Sequence, residues 1–176
     1  FLDLKFHDIP HTVNKAISAA CQLGVWMVNV HAMGGKEMLL AAREAVDSCG
    51  SEQPHLIAVS VLTSMDQPSL DQIGFSKPIH QVVSELTQLS LDCGLEGMVC
   101  SALEVSGLRQ QFGSQPLFVT PGIRPAGTVT HDQQRIMTPE LAILAGSSFL
   151  VIGRPITQHD CPAQALQSIN DALLKL

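Results

Sequence analysis

FLDLKFHDIP, Phe1 to Pro10, is the stretch on which the fold turns. Side chains alternate across a strand, so Leu2, Leu4 and Phe6 are expected on one face and Asp3 with Lys5 on the other. Asp8 follows on the turn before Pro10, which marks a helix start. An acid, a base and a second acid, D-x-K-x-x-D, therefore stand at the end of a short apolar strand. For a lone D-x-K, a salt-bridged strand end is the plain reading, and such pairs contribute little. The second acid changes this. Neighbouring like charges raise each other's pKa and keep an intervening lysine protonated, the pattern of a functional site.

Moving outward, the same kind of apolar run recurs. The sequence predicts strands over Phe1 to Phe6, Val25 to Ala32, Leu56 to Thr63, Gly97 to Ser101, Leu117 to Thr120 and Phe149 to Gly153. Between them it predicts helices at Pro10 to Leu23, Gly35 to Ser48, Ile79 to Asp92, Ala102 to Gln111, Pro139 to Ala145 and Ala163 to Leu174. Pro139 after Thr138 fits a helix start, and Gly24, Gly50 and Gly94 fit stops. Near-continuous apolar strands alternating with helices mean parallel strands buried on both faces.

Six βα units would suit an open doubly wound sheet, whereas a closed (β/α)8 barrel needs eight. The strand ends favour the barrel. Asp3 and Lys5, Asn29 and His31, Thr63 and Ser64, Ser101, Thr120 and Arg124, and Gly153 with Arg154 all fall at or just past a strand's C-terminal end. Chemistry spread over every strand end is the barrel pattern; a doubly wound sheet concentrates it at one crevice. The expectation is an α/β fold, a (β/α)8 TIM barrel of which strands three to eight are present. Residues 1–176 would then be a single domain, the C-terminal three quarters of that barrel, with two further units preceding Phe1.

Composition excludes several classes. A chain of 176 residues with 45% hydrophobic and 15% charged residues is globular rather than disordered. Its net charge of −6 argues against a nucleic-acid or anionic-membrane surface. No apolar run approaches the roughly 20 residues of a membrane span, and no segment reads as a signal peptide. Cys21, Cys49, Cys93, Cys100 and Cys161 are odd in number and form no C-x-x-C pair, so reduced thiols and a cytoplasmic location are expected. His7 and His11 have the spacing of a helical metal pair, but Pro10 between them leaves His7 outside the helix, and solvent-facing histidines are expected instead. Trp26, Met27 and Met98 are expected in the core.

Two further stretches carry chemistry. VIGRPIT, Val151 to Thr157, runs from a buried strand through Gly153 and Arg154 into Pro155, the expected first residue of a helix. Glycine lets a ligand approach the backbone, a helix start offers free N–H groups, and arginine supplies a bidentate fork. At the last strand of a barrel this reads as a phosphate site, against a surface arginine after a tight turn. From Pro121 to Met137 no apolar period is visible, and two prolines and two glycines interrupt the stretch. A segment this long is a lid over phosphate or an insertion without a role. Arg124 would anchor its base, and Gln133 or Gln134 would donate an amide hydrogen bond.

Taken together, these stretches resemble orotidine 5'-monophosphate decarboxylase in its bacterial form. The resemblance rests on DLKFHDIPHT (Asp3 to Thr12), VNVHAMGG (Val28 to Gly35), LTSM (Leu62 to Met65), VTPGIRP (Val119 to Pro125) and VIGRPIT, in order along the chain. It implies a TIM-barrel homodimer that converts orotidine monophosphate (OMP) to UMP in pyrimidine biosynthesis, in the cytoplasm, without metal or organic cofactor. On this chain Lys5 resembles the catalytic lysine and Asp3 its acidic neighbour. Asp8 and Thr12 resemble the residues that reach into the partner's site. Ile9, Thr63, Arg124, Gln133, Gly153 and Arg154 match substrate-binding positions, Thr63 at the pyrimidine and the last four at the phosphate and lid. His11 stands where many relatives carry Asn. The family's first strand supplies an aspartate and its second another lysine, and neither unit lies within the 176 residues.

Two rivals differ in kind. A magnesium-dependent sister barrel, of the ketogulonate-phosphate decarboxylase or hexulose-phosphate synthase type, shares D-x-K-x-x-D but uses its acids as metal ligands. A non-catalytic binder of phosphoribosyl ligands is of another class, and the UV absorbance of orotidine monophosphate during incubation separates it from the enzyme.

Overall fold

The computed structural model describes residues 1–50, 53–125 and 135–176. It divides into two compact units, Phe1–Val61 with His80–Val99, and Leu62–Ile79 with Cys100–Leu176.

The first unit holds four parallel strands, β1 (Leu2–Phe6), β2 (Met27–His31), β3 (His55–Val59) and β4 (Gly97–Val99), in sequence order side by side. Helices α1 (Pro10–Gln22), α2 (Gly35–Asp47) and α4 (Ile79–Asp92) connect or flank them; a single 3₁₀ turn, Ala32–Gly34, leads into α2. Proline at the start of α1 needs no N–H partner there, and Gly24, at φ 65°, ends the turn that follows. Val13, Ile17 and Ala20 recur along one face of α1 and are fully covered, as are Met38, Leu39, Ala42, Ala45 and Val46 on α2, and the two helices pack on each other. Between β2 and β3 the register is regular, from Met27 opposite His55 to His31 opposite Val59. Both strands are buried nearly end to end, as parallel strands covered on both faces must be.

The second unit holds α3 (Gln67–Gln72), α5 (Ala102–Phe112), β5 (Leu117–Thr120), α6 (Pro139–Leu144), β6 (Phe149–Leu150), α7 (Arg154–Thr157) and α8 (Pro162–Leu173). Parallel β5 and β6 pair Val119 with Phe149 and Thr120 with Leu150. Ala102, Ile123 and Ala142 form a small core against which Met137, Leu150 and Ile152 pack. Arg109 joins four backbone or hydroxyl oxygens, those of Gly113, Pro116, Gly146 and Ser148, and lies 4.4 Å above the Phe118 ring. That burial lowers the guanidinium's pKa.

The expected strands and helices are present, with shifted ends. β3 stops at Val59, opposite Val99 on β4, and the Ser60 N–H and hydroxyl both donate to the Val99 carbonyl, so Thr63 lies beyond the strand. The expectation missed α3, whose start is a capping Asp66, accepting from the Ser69 N–H at 3.0 Å, with a proline in the first turn. Helix α7 begins at Arg154, one residue before Pro155. Met27 and Met98 are fully buried, but Trp26 is half exposed and meets His55 edge-on at 5.6 Å. The expectation of unpaired thiols is overturned at two positions. Cys21 and Cys49 form a disulfide, with Cα atoms 6.4 Å apart, because packing of α1 on α2 brings residues 28 apart in sequence together. Cys93 and Cys100 are buried free thiols, and burial pushes the Cys100 thiol well above its ordinary pKa.

Candidate active site

Strand β1 departs from simple alternation at the residues that matter. It pairs with β2 at Leu2–Val28 and again at Phe6–Val30, so β1 advances four residues while β2 advances two. The excess is a bulge. At its centre Lys5 has φ 53°, the one non-glycine residue with positive φ among those described. Such a conformation costs an L-residue about 1–3 kcal/mol and persists only where the surroundings enforce it. Leu4, expected on the apolar face with Leu2 and Phe6, is 60% exposed as a result.

What the bulge achieves is a close polar cluster. Lys5 Nζ donates to Asp3 Oδ1 at 2.8 Å, and both side chains remain more than a third exposed. Asn29, fully buried on β2, donates from Nδ2 to the same Asp3 oxygen at 2.6 Å. Its Oδ1 accepts the Lys5 backbone N–H at 2.8 Å. His7 follows on the same rim, exposed to solvent as expected, and stacks on His31 with ring centroids 5.2 Å apart. His31 Nδ1 is buried without a hydrogen-bond partner. Burial lowers the His31 pKa, and the positive charges of His7 and Lys5 lower it further. The cluster thus ties the Lys5 ammonium to one carboxylate oxygen that Asn29 also holds.

Asp8 does not close onto Lys5 among the described contacts. Its carboxylate accepts the Ile9 N–H at 2.7 Å, ahead of α1. Asp8, Ile9 and Thr12 are all exposed on this chain. Among the described residues, no three His, Cys, Asp or Glu side chains converge as metal ligands would.

The remaining expected positions belong to the second unit. Thr63 is buried. Arg124 is buried as well; its Nη1 donates to the Ile123 carbonyl at 2.8 Å, while its backbone N–H donates to Met137 at 2.9 Å. Gly153 is exposed and opens α7, and a Cβ added there would meet nothing within 4 Å, so packing does not require glycine at this point. Arg154 is the first residue of that helix. Gln133, Gln134 and the body of the expected lid lie outside the described residues.

Two features of the described structure escaped the sequence reading. Asn29 was visible only as a polar residue at a strand end, although an amide inside the otherwise apolar MVNVH signals a buried polar group needing partners. Arg135 forms an ion pair with Glu104 and donates to the Leu62 carbonyl at 3.0 Å. Glu104 also completes a capping box with Ser101 at the start of α5.

Comparison with known proteins follows the same lines. Residues 1–169 match the model of the orotidine 5'-phosphate decarboxylase / HUMPS family. The orotidine 5'-phosphate decarboxylase of Vibrio campbellii is 55% identical over 176 residues, covering 100% of this chain and 76% of that protein. The enzyme of the same name from Escherichia fergusonii is 54% identical, over 98% of this chain and 71% of its own length. Among solved structures, orotidine 5'-phosphate decarboxylase from Lactobacillus acidophilus superposes with a TM-score of 0.85 at 37% identity, covering 98% of this chain and 74% of that one. An uncharacterized conserved protein from Geobacillus kaustophilus superposes with a TM-score of 0.83 at 35% identity, covering 98% and 75%.

Proposed function

Because this chain belongs to the orotidine 5'-phosphate decarboxylase / HUMPS family, we propose that it decarboxylates OMP to UMP, with Lys5 as the group facing the reacting carbon. Its α/β fold is that of the family's TIM barrel, of which this chain contains six βα units. The enzyme is a carboxy-lyase of pyrimidine biosynthesis. The observation that carries the residue assignment is the Lys5–Asp3 pair at 2.8 Å, on a backbone bent to φ 53° at a strand's C-terminal end.

Chemistry explains why an ammonium is wanted there. Breaking the bond between the pyrimidine C6 and its carboxyl carbon releases CO2 and leaves the electron pair on C6. No ring carbonyl is placed to delocalise that pair well, so the barrier is largely electrostatic. A fixed cation beside the developing charge lowers it, and the same ammonium then delivers a proton to C6. Two unit charges 4 Å apart at an effective dielectric of about 20 interact by roughly 4 kcal/mol. The largest enzymatic barrier reductions are on the order of 20 kcal/mol or more, so Lys5 alone is insufficient. Binding energy from the phosphate end of the substrate supplies a further share when it is realised in closure and water exclusion.

In this reading Thr63 meets the pyrimidine, and Arg124, Gln133, Gly153 and Arg154 serve the phosphate. Support comes from the family resemblance and, for Gly153, from a position where glycine is free of packing demands. The whole chain, residues 1–176, acts as one domain of a cytoplasmic homodimer in which Asp8, Ile9 and Thr12 contribute to the substrate site, Asp8 and Thr12 the partner's. Their exposure on the single chain leaves them available for that role. No described helix is long and apolar enough to cross a membrane.

The test follows the fall in OMP absorbance with the full-length gene product, with and without EDTA. Wild-type turnover should persist in EDTA, and Lys5→Ala should abolish it while UMP still binds. Near-normal turnover by Lys5→Ala refutes the assignment; loss of wild-type turnover in EDTA transfers the site to the magnesium-dependent sister chemistry.

A further inference from the structure

The bulge in β1 leaves the Lys5 N–H without a ladder carbonyl, because the strand pairs only at Leu2 and Phe6. A side chain takes it instead. Asn29 stands between Val28 and Val30, the two β2 partners of β1, and is fully buried. Its oxygen takes the Lys5 N–H at 2.8 Å and its nitrogen reaches the Asp3 oxygen that also holds Lys5 Nζ. One amide therefore grips both ends of the lysine: the main chain directly, and the ammonium through Asp3.

We propose that Asn29 is a positioning residue that holds Lys5 in its left-handed conformation and aims its ammonium, an inference resting on the reading of Lys5 as the group facing C6. The amide is suited to this in a way its isosteres are not. Aspartate keeps the acceptor for the Lys5 N–H but replaces the donor with a second anion beside Asp3, in a buried place where like charges repel strongly. Leucine or alanine loses both bonds and leaves the strained conformation without a restraint. Left-handed backbone at a non-glycine residue relaxes once its restraint is removed. The Nζ then moves by an amount set by the whole length of the lysine side chain, and a misplacement on the order of 1 Å at a reacting centre can lower a rate about 100-fold.

The experiment compares wild type, Asn29→Ala, Asn29→Asp and Lys5→Ala in the full-length gene product. It reads kcat and KM for OMP, UMP affinity by calorimetry, thermal midpoint, and the Lys5 φ angle in crystals of each Asn29 variant. Asn29→Ala should lower kcat about 100-fold while UMP affinity changes less than about threefold, with Lys5 at negative φ in the crystal. Asn29→Asp should retain the positive φ but lose kcat, separating the two halves of the grip. If Asn29→Ala fails to fold, Asn29→Ser carries the same readouts. A lowered thermal midpoint with unchanged kcat, or Lys5 still near +53° in the alanine or serine variant, overturns the proposal. Should Lys5→Ala turn over normally, the functional reading falls, yet the φ angle in the Asn29 variants still decides whether this amide positions the lysine.

Discussion

Replacing Arg135 by Gln offers a quantitative test of the second unit. Arg135 and Glu104 are 11% and 8% exposed, and the guanidinium also donates to the Leu62 carbonyl at 3.0 Å. Removing one partner of a buried ion pair costs about 3–5 kcal/mol, because the other charge is left uncompensated. In a protein of this size that should lower the thermal midpoint by roughly 10 °C. The pH dependence carries a sharper signature. Burial already raises the Glu104 carboxyl above its ordinary value, and Arg135 and the Ser101 N–H oppose that rise. Without Arg135 the carboxyl is pushed higher still. A folded-state pKa above the unfolded one means the folded protein binds the extra proton, so stability grows as pH falls through the folded pKa toward about 4.3. The variant's deficit should therefore be largest near pH 7.5 and shrink toward pH 5, measured by urea denaturation of the full-length gene product. Adding Glu104→Gln to Arg135→Gln should recover most of the loss, since no charge then remains buried alone. A deficit below about 0.5 kcal/mol, or one that does not change between pH 7.5 and 5, would refute the argument.

Three further outcomes are expected. Arg154→Ala should reduce kcat/KM by several powers of ten, and phosphite added with a phosphate-free substrate should restore more activity to wild type than to the variant; equal responses would remove Arg154 from the phosphate site. Mixing Asp8→Ala with Lys5→Ala subunits should regain activity if sites are built across a dimer, and mixtures as inactive as their parents dismiss that arrangement. His31→Phe concerns stability. Its pKa is lowered by burial, then by His7 and Lys5, so the unfolded state takes up the proton first and wild-type stability should fall as pH drops below about 6.5, by at most about 1.4 kcal/mol per pH unit. The phenylalanine variant should lack that component in urea titrations from pH 8 to 5; an unchanged slope would show that His31 does not cause it.

The order of elements was legible because it is written in local periods. MVNVH and HLIAV announce strands covered on both faces, and the spacing of Val13, Ile17 and Ala20 announces a helix with one buried side. Contacts between distant residues leave no such period. Cys21 meets Cys49 only because two helices pack, Arg135 meets Glu104 across 31 residues, and half-exposed Trp26 meets His55 edge-on across the strands. The site divides along the same boundary. D-x-K-x-x-D is local, and its placement at a strand end could be read directly. The bulge that turns Lys5 could not, since it depends on the pairing of β1 with β2, and regular alternation predicted the wrong environment for Leu4. Yet the irregularity had a trace: an asparagine amide in a strand otherwise made to be dry. Burying it without partners would cost about 1–3 kcal/mol, so its presence implied polar groups nearby that the strand's own ladder did not supply. Those groups are the Lys5 N–H and the Asp3 carboxylate, which lie 24 and 26 residues away. A buried polar residue in an apolar strand thus indicates that a restraint exists, while only the fold says what is restrained.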